Sequence, residues 1–119
     1  MTTVNFAQNP IAQNTLDSAN KRSDEYYKQM LAKKAEYSLA QQNLWDLKAA
    51  LNQKLERLQD LKKSQGAGTN QAQIDFNKVS NEYSSSDMNV DNLRGSLQDS
   101  IFSAAKAQNS ASFANSVLG

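Results

Sequence analysis

The sequence predicts an all-α fold, a long antiparallel two-helix hairpin of the coiled-coil kind. Three observations carry that expectation. Two stretches of sustained heptad pattern fill most of the 119 residues, the only glycine cluster lies between them, and the whole chain has one proline and four glycines. So few helix breakers in a chain with 13 Asn, 12 Gln, 14 Ser and 15 Ala point to long helices and not to disorder. The length fits a single domain, 1–119. Its segments read as a polar N-terminal stretch over 1–13, helix 1 over 14–64, a turn over 65–70 and helix 2 over 71–117.

The first helix has two candidate starts. Asn9-Pro10 offers a side-chain cap followed by a proline whose missing N–H would be unpaired anyway. Asn14 with Asp17 offers capping-box spacing a few residues on. No Gly or Pro then appears before Gly66. Lys62 and Lys63 suit a helix C-terminus, and Gly66 suits a left-handed terminating residue. A helix from 10 or 14 to 64 is roughly 75–80 Å long at ~1.5 Å per residue, too long for one helix of a compact globule.

That length calls for a heptad, and one is present. With Leu16 as position a, the a series is Leu16, Ser23, Met30, Tyr37, Leu44, Leu51 and Leu58. The d series is Ala19, Tyr26, Lys33, Ala40, Leu47, Lys54 and Leu61, with Leu55 able to share the seam beside Lys54. Apolar or aromatic residues hold 11 of these 14 positions, which is the signature of a left-handed coiled coil.

Ser64 to Asn70, with Gly66 and Gly68, reads as the turn, and Asn70 with Gln73 repeats the capping spacing. Helix 2 takes Phe76, Tyr83, Val90, Leu97, Ala104, Ala111 and Leu118 as a. Its d positions are Val79, Ser86, Leu93, Ser100, Ala107 and Ala114. The run Ser84-Ser85-Ser86-Asp87 lowers helix propensity, so either continuous helix or a short break is expected there.

Two matched helices joined by a short loop should fold back on each other. A turn centred near residue 67 sets position i opposite about 134 minus i, which places Leu58 near Phe76, Leu51 near Tyr83 and Leu44 near Val90. Tyr26, Met30 and Tyr37 then face the small residues Ala104 and Ala107, and large against small is how a seam fills its volume. A lone hairpin of this kind is marginal, because each helix buries one stripe only. Apolar residues remain off the seam: Leu31, Leu39 and Trp45 on helix 1, and Ile74, Met88, Ile101, Phe102, Phe113 and Val117 on helix 2. Trp45 and Phe102 are costly to leave wet, so Leu31, Leu39, Trp45, Met88, Ile101, Phe102, Phe113 and Val117 form a candidate assembly surface.

Composition excludes much chemistry. No Cys and no His means no thiol nucleophile, no Ser-His-Asp triad, no zinc finger and no disulfide framework. A net charge of +1 gives no electrostatic case for nucleic acid. Asp24-Glu25 sits among Lys21, Arg22 and Lys28 and reads as a solvated face. Gly66-Ala67-Gly68 lacks the lysine and preceding strand of a phosphate loop, and Asp87, Asp91 and Asp99 are too far apart for a calcium loop. The expectation is a protein that is not an enzyme, with no cofactor, no metal and no small-molecule substrate. The start Met1 to Asn9 has neither a basic nor an apolar signal region, and no apolar run exceeds three residues, the length of Ala49 to Leu51. Thr2 excludes myristoylation. Secretion without a cleaved signal and a cytoplasmic location both fit.

The polar start Thr2 to Asn14, the turn at Gly66–Gly68 and the Ala/Ser/Asn-rich end from Ser103 to Gly119 resemble subunits of bacterial type III secretion needles and filaments, although the proline of the needle turn is absent. The resemblance implies a short helical hairpin that self-assembles into an exported filament or needle-like appendage. The chain also looks like the two-helix secreted WXG100 proteins in length. However, Trp45-Asp46-Leu47 is not a Trp-x-Gly turn, and only the Tyr83–Asp87 spacing matches. A cytosolic coiled-coil stalk or export chaperone that binds another helical protein shares the hairpin and is the alternative. Partners are therefore expected to be further copies of the chain or other helical proteins.

Overall fold

The computed structural model describes residues 9–119. Part of the expected polar N-terminal segment, residues 1–8, lies outside the described residues. The fold is an all-α helical hairpin: α1 spans Pro10–Ser64, α2 spans Thr69–Leu118, and no strand occurs among the described residues. The chain divides into two compact units, each with a part of both helices: Met1–Ala35 with Gly95–Gly119, and Glu36–Arg94.

The Asn9-Pro10 start is the one used. The Asn9 Oδ1 accepts hydrogen bonds from the backbone N–H of Ile11 (2.9 Å) and Ala12 (3.4 Å), which satisfies two of the amides a helix start leaves open. Asn14 lies inside α1, four residues past its first residue. At the other end the Gly66 N–H bonds back to the Leu61 carbonyl at 3.0 Å, closing a Schellman-type cap. The left-handed residue there is Gln65, at φ 51°, and not Gly66. A Cβ on Gly66 would stand 3.0 Å from Leu61 Cδ2 and 3.2 Å from Ser64 Oγ, a tight fit that these side-chain ends would have to relieve by shifting a few tenths of an ångström.

α2 begins at Thr69, so Asn70 sits in its first turn and is not its cap. The Ala72 N–H bonds to the Gly68 carbonyl (2.9 Å), Gly68 takes φ 91°, and the Thr69 hydroxyl donates to the Gly66 carbonyl at 2.9 Å. α2 is continuous through Ser84–Asp87. Ser84 and Ser85 face solvent while Ser86 holds its d position on the inner side, flanked by half-buried Tyr83 and buried Val90. The packing of that stripe outweighs a propensity deficit of only a few tenths of a kcal/mol per serine.

Within Glu36–Arg94 the inner stripe carries Tyr37, Ala40, Leu44, Leu47, Leu51, Leu58 and Leu61 against Phe76, Val79, Tyr83, Val90 and Leu93, all buried or half-buried. Register is marked by the Arg94 Nε, which donates to the Tyr37 hydroxyl at 3.2 Å, and by Lys54 sharing a groove with Val79. Tyr37 therefore meets Arg94, where the seam argument set it against the small alanines. Within the other unit Leu16, Ala19, Ser23 and Met30 are half-buried, and Ala12, Ala104, Ala107 and Ala111 are buried. Met30 shares a groove with Ala104, Tyr26 shares one with Ala107, and Asn115 Nδ2 donates to Asn20 Oδ1 at 2.9 Å. Those pairs lie within about three residues of the expected register. Leu97 is half-buried, and Tyr26 is the seam residue left exposed, at 36 %.

Glutamine supports the helices locally. Gln13 donates to Asp17, Gln42 to Asp46, Gln71 to Asp75 and Gln73 to Asn77, each one turn ahead at 2.9–3.2 Å. Pairs of this spacing add roughly 0.2–0.5 kcal/mol each to a helix. They give the Gln-rich composition a structural use.

Candidate functional site

Asp24 and Glu25 are both exposed, and no group of His, Cys, Asp or Glu suited to a metal ion occurs among the described residues. The surface depressions are open grooves along the helices. One is lined by Ser23, Asp24, Tyr27, Met30, Ile101 and Gln108, and another by Arg22, Tyr26, Ser103, Lys106 and Ser110. No helix among the described residues is long and apolar enough to cross a membrane.

A polar cluster that joins the helices centres on Tyr37. Its hydroxyl accepts from Arg94 Nε at 3.2 Å and from Gln41 Nε2 at 2.9 Å, and the Arg94 guanidinium lies 6.0 Å from the ring centroid. Asp91 stands 3.5 Å from Arg94 on the same helix. The hydrogen bond to Tyr37, then the charge interaction with Tyr37, with smaller contributions from Asp91 and Asp87, hold the guanidinium above its usual pKa. The group is solvent-exposed, so the cluster fixes register more than it adds stability. The heptad pattern places Tyr37 but is silent on Arg94, whose partner is 57 residues away.

What the surface offers is apolar area. In the unit Glu36–Arg94, Leu39, Trp45 and Met88 are exposed, Trp45 at 64 %. In the other unit Leu31, Ile101, Phe102, Phe113 and Val117 are exposed, with Phe102 at 70 % and Phe113 at 71 %. All eight candidate assembly residues therefore face solvent. Ile74 joins them, while Leu55 lies at the edge of exposure. Ile11 and Tyr27 are exposed as well. Ile11 falls at an outward c position of the heptad and Tyr27 at e, beside the seam. Large apolar side chains wet on this scale mark contact surfaces more than catalytic ones. No family model, curated protein or solved structure matches this chain.

Proposed function

We propose that this chain is a non-catalytic structural subunit, a helical hairpin that self-assembles and builds part of an exported secretion-system filament or needle-like appendage. One observation carries the reading. The seam residues turn inward, yet Leu31, Leu39, Trp45, Met88, Ile101, Phe102, Phe113 and Val117 all remain in water. The core is also thin: among the described residues no side chain is more than 98 % buried, and six of the eight buried apolar residues are alanine. A fold that covers so little of its own apolar surface gains stability by covering the rest against neighbours. The exported setting rests on the resemblance in composition and hairpin form.

Sedimentation of the purified protein over a wide concentration range tests this. Assemblies that grow with concentration support the reading. A monomer at every concentration, capturing one helical partner in a fixed complex, would identify a cytosolic stalk or export chaperone instead. Trp45→Ala should weaken assembly roughly tenfold or more, since an exposed tryptophan that anchors a contact is worth about 2 kcal/mol. Its helicity by circular dichroism should stay as in the parent chain. Loss of helicity would place Trp45 in the fold's own core.

A further inference from the structure

We propose that two copies of this chain pair antiparallel through the outer face of α2 between Phe102 and Val117, about a two-fold axis midway between Phe102 and Phe113. This rests on the self-assembly reading and names its surface and orientation. Phe102 and Phe113 stand 11 residues apart on one continuous helix, both about seven-tenths exposed. Eleven residues make close to three turns, so the two rings leave the helix on the same side, roughly 16 Å apart. Lys106 and Asn109 lie between them on that side, and Val117 follows one turn after Phe113; all are exposed. A two-fold at the midpoint brings Phe102 against the partner's Phe113, and Phe113 against the partner's Phe102. It also brings Lys106 opposite the partner's Asn109.

Charge decides what can cover this face. From Ser100 to Gly119 the chain holds a single charged residue, Lys106, while the other 99 residues carry 24. A charged partner surface would bury ions without counter-ions here, which is costly. The outer surface of α1 near Lys21, Arg22, Asp24, Glu25 and Lys28 is of that charged kind. A second copy of the same stretch brings a single charge of its own, Lys106, is apolar at the matching positions, and offers an amide oxygen to accept from each ammonium.

Area sets the strength. A phenylalanine buries ~150–250 Å² when fully covered, so four rings and two valines at these exposures supply roughly 600–800 Å². That lies below the ~1,200 Å² of stable complexes, so the pairing is weak and concentration-dependent.

The chain has no cysteine, so single labels report cleanly. Spin labels on Ala105→Cys, an exposed site at the edge of the face, and, separately, on Ser116→Cys are measured by pulsed dipolar spectroscopy in the full chain at concentrations where it self-associates. The two-fold predicts a short interchain distance at 105 and one longer by roughly 18 Å at 116, from a rise of ~1.5 Å per residue. Phe113→Ala should reduce the paired fraction roughly tenfold with helicity kept. Equal distances at the two sites would mean parallel packing and overturn the proposal. Assembly without a short distance at 105 would overturn it too, while leaving self-assembly through another face. A monomer at every concentration would remove both.

Discussion

The two compact units are built from the same heptad but filled differently. In Glu36–Arg94 the inner stripe is mostly Leu, Phe, Tyr and Val, and two bulky residues, Leu58 and Val90, are buried beside Ala40 and Ala72. In the other unit, which runs up to Ala35 and again over Gly95–Gly119, every buried apolar residue among those described is alanine: Ala12, Ala104, Ala107 and Ala111. That second unit instead carries Phe102 and Phe113 on its outside. A methyl group removes little apolar surface from water, whereas a leucine removes enough for ~1.5–3 kcal/mol. The turn-proximal unit thus holds most of the monomer's stability; both units leave large apolar side chains in water, Trp45 on the first and Phe102 and Phe113 on the second. Amide exchange in dilute monomer should be slower across Leu44–Leu61 than across Ala104–Leu118.

The largest effect expected from one substitution tests that division directly. Leu58 is 4 % exposed and is the largest of the buried side chains. Leu58→Ala should destabilise the monomer by roughly 2–4 kcal/mol in denaturant melts, the span for truncating a buried leucine. A loss below 1 kcal/mol would mean that the turn-proximal seam is loosely packed and the contrast between units is false.

Most of this architecture is legible in the residues. Each a and d position from Ala12 to Leu61 and from Ala72 to Leu118 is buried or half-buried, except Tyr26 at the border. Even Lys33 and Lys54 keep their seam places, because a lysine can lay its aliphatic stem along an apolar stripe and lift its ammonium into water. Pattern repeated over many turns fixes a face, since a slip would wet the whole stripe at once. The helix ends were less legible, because they turn on single residues. Asn70 and Gly68 are competing starts for α2, and Gln65 and Gly66 competing left-handed positions, with differences of about 1 kcal/mol or less. The Tyr37–Arg94 pair was not legible at all, as a tyrosine at a and an arginine at e carry no mutual signal until register is known. The outer apolar residues were legible by elimination. What covers them was not, because sequence periodicity describes one chain's packing and not its neighbours'.

The α1 terminus offers the next test, and it widens the contrast between units. Gln65 adopts φ 51°, where a Cβ crowds the backbone at a cost of roughly 1–2 kcal/mol. Glycine takes that conformation freely but loses more entropy on folding, so Gln65→Gly should stabilise the monomer by about 1 kcal/mol in the same melts. A decrease in stability would show that the Gln65 side chain contributes to the turn more than its backbone strain removes.

The smallest effect concerns Gly95, and it narrows the contrast. This glycine lies inside α2 and is exposed, its φ is not in the left-handed range, and a Cβ added to it would meet nothing within 4 Å. Nothing within the monomer therefore requires glycine, and an alanine should fit without strain. Gly95→Ala removes backbone freedom from the unfolded chain and should raise dilute-monomer stability by roughly 0.5–1 kcal/mol. Amide protection should rise most in the flanking turns of α2. Concentrated protein gives the sharper reading, because Cβ atoms at a helix contact limit how closely two backbones approach. If Gly95→Ala stabilises the monomer yet weakens self-association, the glycine is kept for a neighbour's close approach, and the contact face extends beyond Phe102 toward the centre of α2. If both rise together, or association stays unchanged, the face ends before Gly95 and the two-fold between Phe102 and Phe113 stands alone.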